Sequence, residues 1–184
     1  MITGVVLAGG LSQRFGADKA EALYRGRPLI DWSIDALTPY CETIFVSGRR
    51  HRDHASVLDR PHSGFGPLGG IAGALFAARE FGCRHLLSIP CDTPEVPASL
   101  LRQFVESEKP VYAAACPVIG LWPVALAEAL EQHLAEEGPR AVRHWAAIAG
   151  IDAVESPPIL NVNTMADLQQ LGGGDIPALG QGAS

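Results

Sequence analysis

The strongest constraint on this chain lies in its first nineteen residues. An uncharged apolar run, Ile2 to Leu7, is followed at once by Gly9-Gly10 and then by Arg14, Asp18 and Lys19 within ten residues. A run of that length, rich in β-branched residues and Leu, reads as a strand buried on both faces. Glycines let backbone N–H groups turn toward a bound anion, and no Cβ obstructs its approach. Two cations beyond the turn add charge that backbone dipoles supply only in part. The stretch therefore reads as a phosphate site at the carboxyl end of a first strand, against the alternative of an ordinary strand-to-helix turn with two solvated basic residues. It is neither the dinucleotide fingerprint Gly-x-Gly-x-x-Gly nor a P-loop ending in Gly-Lys-Ser/Thr.

The remainder of the chain narrows the class. At 184 residues it has the length of one domain, assigned here to 1–171. The net charge of −6 excludes a general nucleic-acid binder, which requires a basic face. The charge is uneven: residues 1–60 carry 8 Lys/Arg against 7 Asp/Glu, and residues 61–184 carry 6 against 13. Cys41, Cys83, Cys91 and Cys116 form no Cys-x-x-Cys pair, which predicts reduced, packed thiols and no zinc site. Met1-Ile2-Thr3-Gly4 lacks a basic signal segment, and no apolar run nears the ~20 residues of a membrane span. The expectation is a cytoplasmic enzyme bound to neither membrane nor nucleic acid. Gly172 to Ser184 has five glycines and no apolar periodicity, and is expected to be a disordered, dispensable tail.

Strands are expected at Ile2–Leu7, Thr43–Val46, Ser56–Leu58, His85–Ile89, Pro110–Ala115 and Val118–Leu121, with helices at Leu29–Leu37, Ile71–Glu80 and Pro97–Val105. Two more helical stretches, about 122–136 and 140–148, are divided by Gly138-Pro139. Pro61 to Gly70 reads as a Gly/Pro loop, and His51 to His54 as a polar turn, with a metal shared by the two histidines as the alternative. Ile159 to Val162 reads as extended, and Thr164 as the N-cap of a closing helix with Asp167 at N3. Alternating strands and helices predict an α/β three-layer sandwich around a mainly parallel sheet, with its site at the carboxyl ends of the strands.

On that layout Gly9-Gly10, Ser47, Asp59 and Asp92 all fall just past strand ends and gather at one edge. Asp92, between Pro90 and Pro94, reads either as a turn cap or, paired with a phosphate loop, as a ligand for Mg²⁺, which is commonly held by one or two carboxylates plus substrate phosphates. Asp18 is expected to orient Arg14 or Lys19 rather than to bind metal.

Leu7-Ala8-Gly9-Gly10, Arg14-Phe15-Gly16 and Asp18-Lys19 resemble the opening of nucleotidyltransferases, and most of all the molybdenum cofactor guanylyltransferase family. Gly66-Pro67-Leu68-Gly69-Gly70 resembles that family's Gly-Pro-Leu-Ala-Gly loop, and Pro90-Cys91-Asp92-Thr93-Pro94 matches its metal-site motif. Gly120-Leu121-Trp122 and Asn161-Val162-Asn163-Thr164 are similar to its later motifs, so the resemblance spans about residues 3–171.

The resemblance implies a Rossmann-like nucleotidyltransferase fold and transfer of GMP from GTP to the phosphate of molybdenum-bound molybdopterin, with pyrophosphate leaving. It implies Mg²⁺ on Asp92, guanine near Leu7, Ala8, Gly9 and Gly10, and Ser47 and Asp59 at the nucleotide. It implies Arg14, Lys19 and Asp92 at the reacting phosphates, with Asn161 and Asn163 there or at the pterin; the alternative for the two asparagines is a turn before a helix. A molybdoenzyme or a cofactor-delivery protein is the further partner implied. Three departures stand out: Ser47 where the family often has Asn, Glu21 where it is usually apolar, and a short 114–118 segment. Rival readings are a cytidylyltransferase for the same cofactor, a nucleotide-sugar transferase, and a non-catalytic cofactor carrier.

Overall fold

The computed structural model describes residues 1–9, 18–136 and 138–171. Arg14, Gly10 and the tail from Gly172 lie outside the described residues. A seven-stranded sheet runs β5-β4-β1-β6-β8-β7-β9. Its members are β1 (Ile2–Leu7), β4 (Thr43–Ser47), β5 (Ser56–Val57), β6 (His85–Pro90), β7 (Val111–Ala113), β8 (Cys116–Pro123) and β9 (Asp152–Val154). Only β8 runs against the rest: it pairs antiparallel with β6 and β7, and the other neighbours pair parallel.

Alternation along each strand divides the core into two layers. Val5, Leu7, Phe45 and Leu86 face α2 (Pro67–Glu80), α4 (Ala127–Ala135) and α5 (Val142–Ile148), burying Leu68, Ile71, Leu75, Leu130 and Trp145. Val6, Ile44, Val46, Leu87 and Ile89 face α1 (Leu29–Leu37) and α3 (Ala98–Ser107), burying Ile30, Ile34, Leu101 and Phe104. This is the three-layer sandwich with a mainly parallel sheet that the pattern predicts. A third cluster joins a small hairpin, β2 (Leu23–Tyr24) and β3 (Arg27–Pro28), to α6 (Met165–Gln170) through Tyr24, Leu29, Val162 and Leu168.

Three elements depart from the expectation, each for a physical reason. Helix α2 begins at Pro67, not Ile71, so most of Gly66 to Gly70 is helical. Gly66 at φ 62° turns the chain into the helix, and Pro67 sits in the first turn, where its missing N–H removes no helical bond. Strand β8 extends to Pro123 because residues 122–123 pair with Leu86 and His85 of β6, with Trp122 Nε1 donating to Ser88 Oγ at 2.7 Å across the same pair, and this takes them from the expected helix. Strand β9 was not anticipated: its three residues are exposed or half-buried and become a strand only by pairing with β7.

Candidate active site

The loops at the carboxyl ends of β1, β4 and β6 are stitched together by backbone hydrogen bonds. Ala8 N donates to Ser47 O at 3.0 Å, Cys91 N to Leu7 O at 3.0 Å, and Val162 N to Asp92 O at 2.9 Å. The last bond brings the segment before α6 onto the Asp92 loop, 70 residues away in sequence. These loops enclose a cavity of about 300 Å³, within the range of small-molecule sites. Its lining includes Leu7, Ala8, Gly9, Asp18, Lys19, Asp92 and Asn161.

Lys19 and Asp92 meet in that cavity. Lys19 lies on a single 3-10 turn, Lys19–Glu21, whose N-cap is Asp18, accepting from Ala20 N at 3.2 Å. Its Nζ donates to Asp92 Oδ2 at 2.7 Å, with only 15% and 19% of the two side chains exposed. The same Nζ lies 3.4 Å from Asn163 Oδ1. Asp92 Oδ1 is buried and has no hydrogen-bond partner among the described residues. A buried carboxylate oxygen left unpaired carries a desolvation cost, and it is a hard-oxygen position that a divalent cation would satisfy.

Asn163 is fixed by a capping box. Asp167 Oδ2 accepts from Asn163 N at 2.7 Å and from Thr164 N at 2.8 Å, while Thr164 Oγ1 accepts from Asp167 N at 3.2 Å. The two donated N–H groups, Asn163 first, hold the Asp167 carboxyl below its ordinary value. The expected cap is thus present in full, and it orients the asparagine that faces Lys19.

Ser47 and Asp59 form a separate pair. Ser47 is buried at the end of β4, and its Oγ donates to Asp59 Oδ1 at 3.1 Å. Helix α2 closes on this pair: a Cβ at Gly73 would lie 1.9 Å from Leu58 O. Neither Ser47 nor Asp59 lines the cavity; they stand beside it at the same edge of the sheet. Among the described residues Asp18 pairs with Arg49 at 2.5 Å and not with Lys19; Arg14, the other residue it was expected to orient, lies outside them.

Pro67, Cys91, Cys116 and Val118 also line the cavity, and the spacing of the sequence did not single them out. Cys116 lies at the start of β8, ahead of the strand expected from Val118, and Val118 lies on that expected strand without having been read as a site residue. Burial, with the nearby Asp92 charge, pushes the Cys91 thiol up to about 12 and raises Cys116 as well. Both remain protonated thiols, so neither is a nucleophile at neutral pH.

An open parallel sheet whose strand-end loops converge on a lysine and a carboxylate is the architecture of an α/β nucleotide site. Comparison with known proteins names the kind. The chain belongs to the MobA-like NTP transferase domain family, whose model matches residues 4–150, and is therefore a nucleotidyltransferase. It is 36% identical over 182 residues to a protein of Acidiphilium cryptum named molybdenum cofactor guanylyltransferase, covering 91% of this chain and 92% of that one. Its fold is similar to that of molybdopterin-guanine dinucleotide biosynthesis protein A from Archaeoglobus fulgidus, with a TM-score of 0.69 at 20% identity over 93% of this chain and 96% of that one. A Mycobacterium tuberculosis H37Rv protein solved as a complex with manganese is also similar, with a TM-score of 0.67 at 16% identity over 92% and 97% of the two chains. Among the described residues no helix is long and apolar enough to cross a membrane.

Proposed function

We propose that this chain transfers GMP from GTP to the phosphate of molybdenum-bound molybdopterin. An oxygen of the acceptor phosphate bonds to the α-phosphorus of GTP, the bond from that phosphorus to the α,β-bridging oxygen breaks, and pyrophosphate leaves with the electron pair. The observation that carries the reading is the Lys19–Asp92 pair in the strand-end cavity, in a chain resembling curated guanylyltransferases along nine-tenths of its length.

Two anions must approach each other in this reaction, so the main demand on the protein is positive charge and fixed geometry. Lys19 faces the cavity and offsets the charge of the triphosphate and of the leaving pyrophosphate. Arg14 adds a second cation in this reading. No general base is needed, because the attacking phosphate is already ionised. Asn163, held by the capping box, and Asn161 contact the reacting phosphates or the pterin. Leu7, Ala8, Gly9 and Gly10 form the wall for guanine, and Asp59, oriented by Ser47, recognises the nucleoside side.

Mg²⁺ fits this site through Asp92 Oδ1, which has no partner among the described residues, and the manganese complex of the similar mycobacterial protein supports a divalent ion. Bound there, it would stabilise charge on the phosphate oxygens as a Lewis acid. Asp92 would hold it, and Lys19, released from Asp92 Oδ2, would turn to the phosphates. The partners in this reading are GTP, molybdenum-molybdopterin and, downstream, a molybdoenzyme or delivery protein, and the setting is the cytoplasm.

Calorimetric titration of GTP, CTP, ATP and UTP in the presence of Mg²⁺ tests the donor. GTP is expected to bind at least tenfold more tightly than CTP, because cytosine would leave buried backbone groups unpaired at about 1–3 kcal/mol each. Equal affinity for the two would sink the guanine assignment. Release of pyrophosphate from GTP only when molybdenum-molybdopterin is added tests the acceptor.

A further inference from the structure

Glu21 stands two residues after Lys19 and has no part in the chemistry above. An acidic group so close to the cation that receives a triphosphate would compete for it, yet in the structure both nearby carboxylates are engaged by Arg49 instead. Arg49 Nη1 donates to Asp18 Oδ2 at 2.5 Å, and Arg49 Nη2 to Glu21 Oε1 at 2.8 Å, while Lys19 points to Asp92. Behind Glu21, at 3.6 Å, lies His51 Nδ1; His51 Nε2 is 2.8 Å from Oδ1 of buried Asp31, whose Oδ2 accepts from Arg52 at 2.7 Å.

The residue before Arg49 makes a second contact with the same loop. Gly48 has φ 86°, and a Cβ there would come within 2.2 Å of Gly9 Cα. Two adjacent residues after β4 therefore hold Gly9 on one side and Asp18 and Glu21 on the other, the described residues that precede and follow segment 10–17. Ion pairs this exposed on the carboxylate side contribute little to folding. Their consequence is for the charge that Lys19 meets. The planar fork of Arg suits the task, since it presents donors to two separate anions at once.

We propose that Arg49 is a positioning residue for nucleotide binding. By holding Asp18 and Glu21 it keeps these carboxylates off Lys19, so that among the described residues the lysine's side-chain partners are Asp92 and Asn163, and an incoming triphosphate meets it there. Arg49 makes no phosphate contact in this scheme. The inference rests on the triphosphate reading above.

The test compares the full-length wild type with Arg49→Ala, Arg49→Lys, and each of these combined with Glu21→Gln. Affinity for the triphosphate with Mg²⁺ is measured by calorimetry, and melting temperature alongside it. Arg49→Ala is expected to weaken binding about tenfold. Adding Glu21→Gln should recover most of that loss, because an amide does not compete for Lys19. Arg49→Lys should fall between, keeping the charge but not the two-pronged grip, and serves the same comparison if the alanine variant does not fold. A merely structural Arg49 would lower the melting temperature and gain nothing from Glu21→Gln. Unchanged affinity in the Arg49 variants, or a loss that Glu21→Gln fails to relieve, overturns the proposal. The comparison uses whichever of GTP, CTP, ATP and UTP the wild type binds, so an error in the base alone leaves it intact. A wild type that binds none of the four overturns both readings.

Discussion

Two aspartates leave strands at the same edge of the sheet, and the structure puts them in different surroundings. Asp92 follows β6 and lines the cavity, with one oxygen on Lys19 and the other buried without a partner among the described residues. Asp59 follows β5, stands beside the cavity, and accepts from the neutral hydroxyl of Ser47, with no ion pair among the described residues. A strand end delivers either carboxylate to the ligand edge, but its neighbours decide what it can do there. A charged partner and an unsatisfied oxygen suit metal and phosphate; a hydroxyl that fixes one oxygen suits recognition of a neutral, hydrogen-bonding group.

Variants that break this contrast should differ in size of effect. The largest belongs to Asp92→Asn, which keeps volume and loses charge: guanylyl transfer should fall more than a thousandfold at ordinary Mg²⁺, beyond roughly 4 kcal/mol of transition-state stabilisation. Circular dichroism should still show a folded chain. Activity within a few-fold of wild type would remove Asp92 from the mechanism. Lys19→Ala comes next, with transfer slowed by roughly 2–4 kcal/mol of transition-state stabilisation and weaker triphosphate binding. Because the pair is mostly buried, its melting temperature is to be followed too; a loss confined to stability would make Lys19 structural.

Gly73→Ala sharpens the comparison from the other side. The added Cβ would sit 1.9 Å from Leu58 O, so α2 or the Asp59 loop has to move. A destabilisation of about 1–3 kcal/mol is expected, with nucleotide affinity damaged through Asp59 while the Lys19–Asp92 pair stays intact. Denaturant unfolding beside a GTP titration measures both. Asp59→Asn should be milder: Ser47 can still donate to the amide oxygen, so stability should hold while GTP affinity drops about tenfold, on the scale of one hydrogen bond to a charged group. Equal GTP affinity in Asp59→Asn and wild type would leave Asp59 a structural cap. Smallest of all, removing Gly172 to Ser184 should change neither melting temperature nor transfer rate, since that stretch has no core-forming pattern; a drop of several degrees would show that it docks.

Much of this protein follows from local sequence. The uncharged run Ile2–Leu7, the apolar spacing of Leu29, Ile30, Ile34 and Leu37, and the Thr164–Asp167 cap each depend on residues within a few positions of one another, and each is present as read. Asp92 and Lys19 could be named because an acid between two prolines after a strand, and a cation after a glycine turn, are poor material for a core. Other features depend on which elements pack together, and no local spacing carries that information. Asp152–Val154 is exposed or half-buried and becomes a strand only because β7 offers it an edge. Lys19 had Asp18 and Glu21 as nearby carboxylates; it meets Asp92, 73 residues away, because β1 and β6 lie side by side and Arg49, from the neighbouring β4 loop, takes the other two. The residue types at the site were set by the chain itself, whereas their pairing was decided by tertiary structure, since a salt bridge forms with the carboxylate that the folded backbone holds nearest.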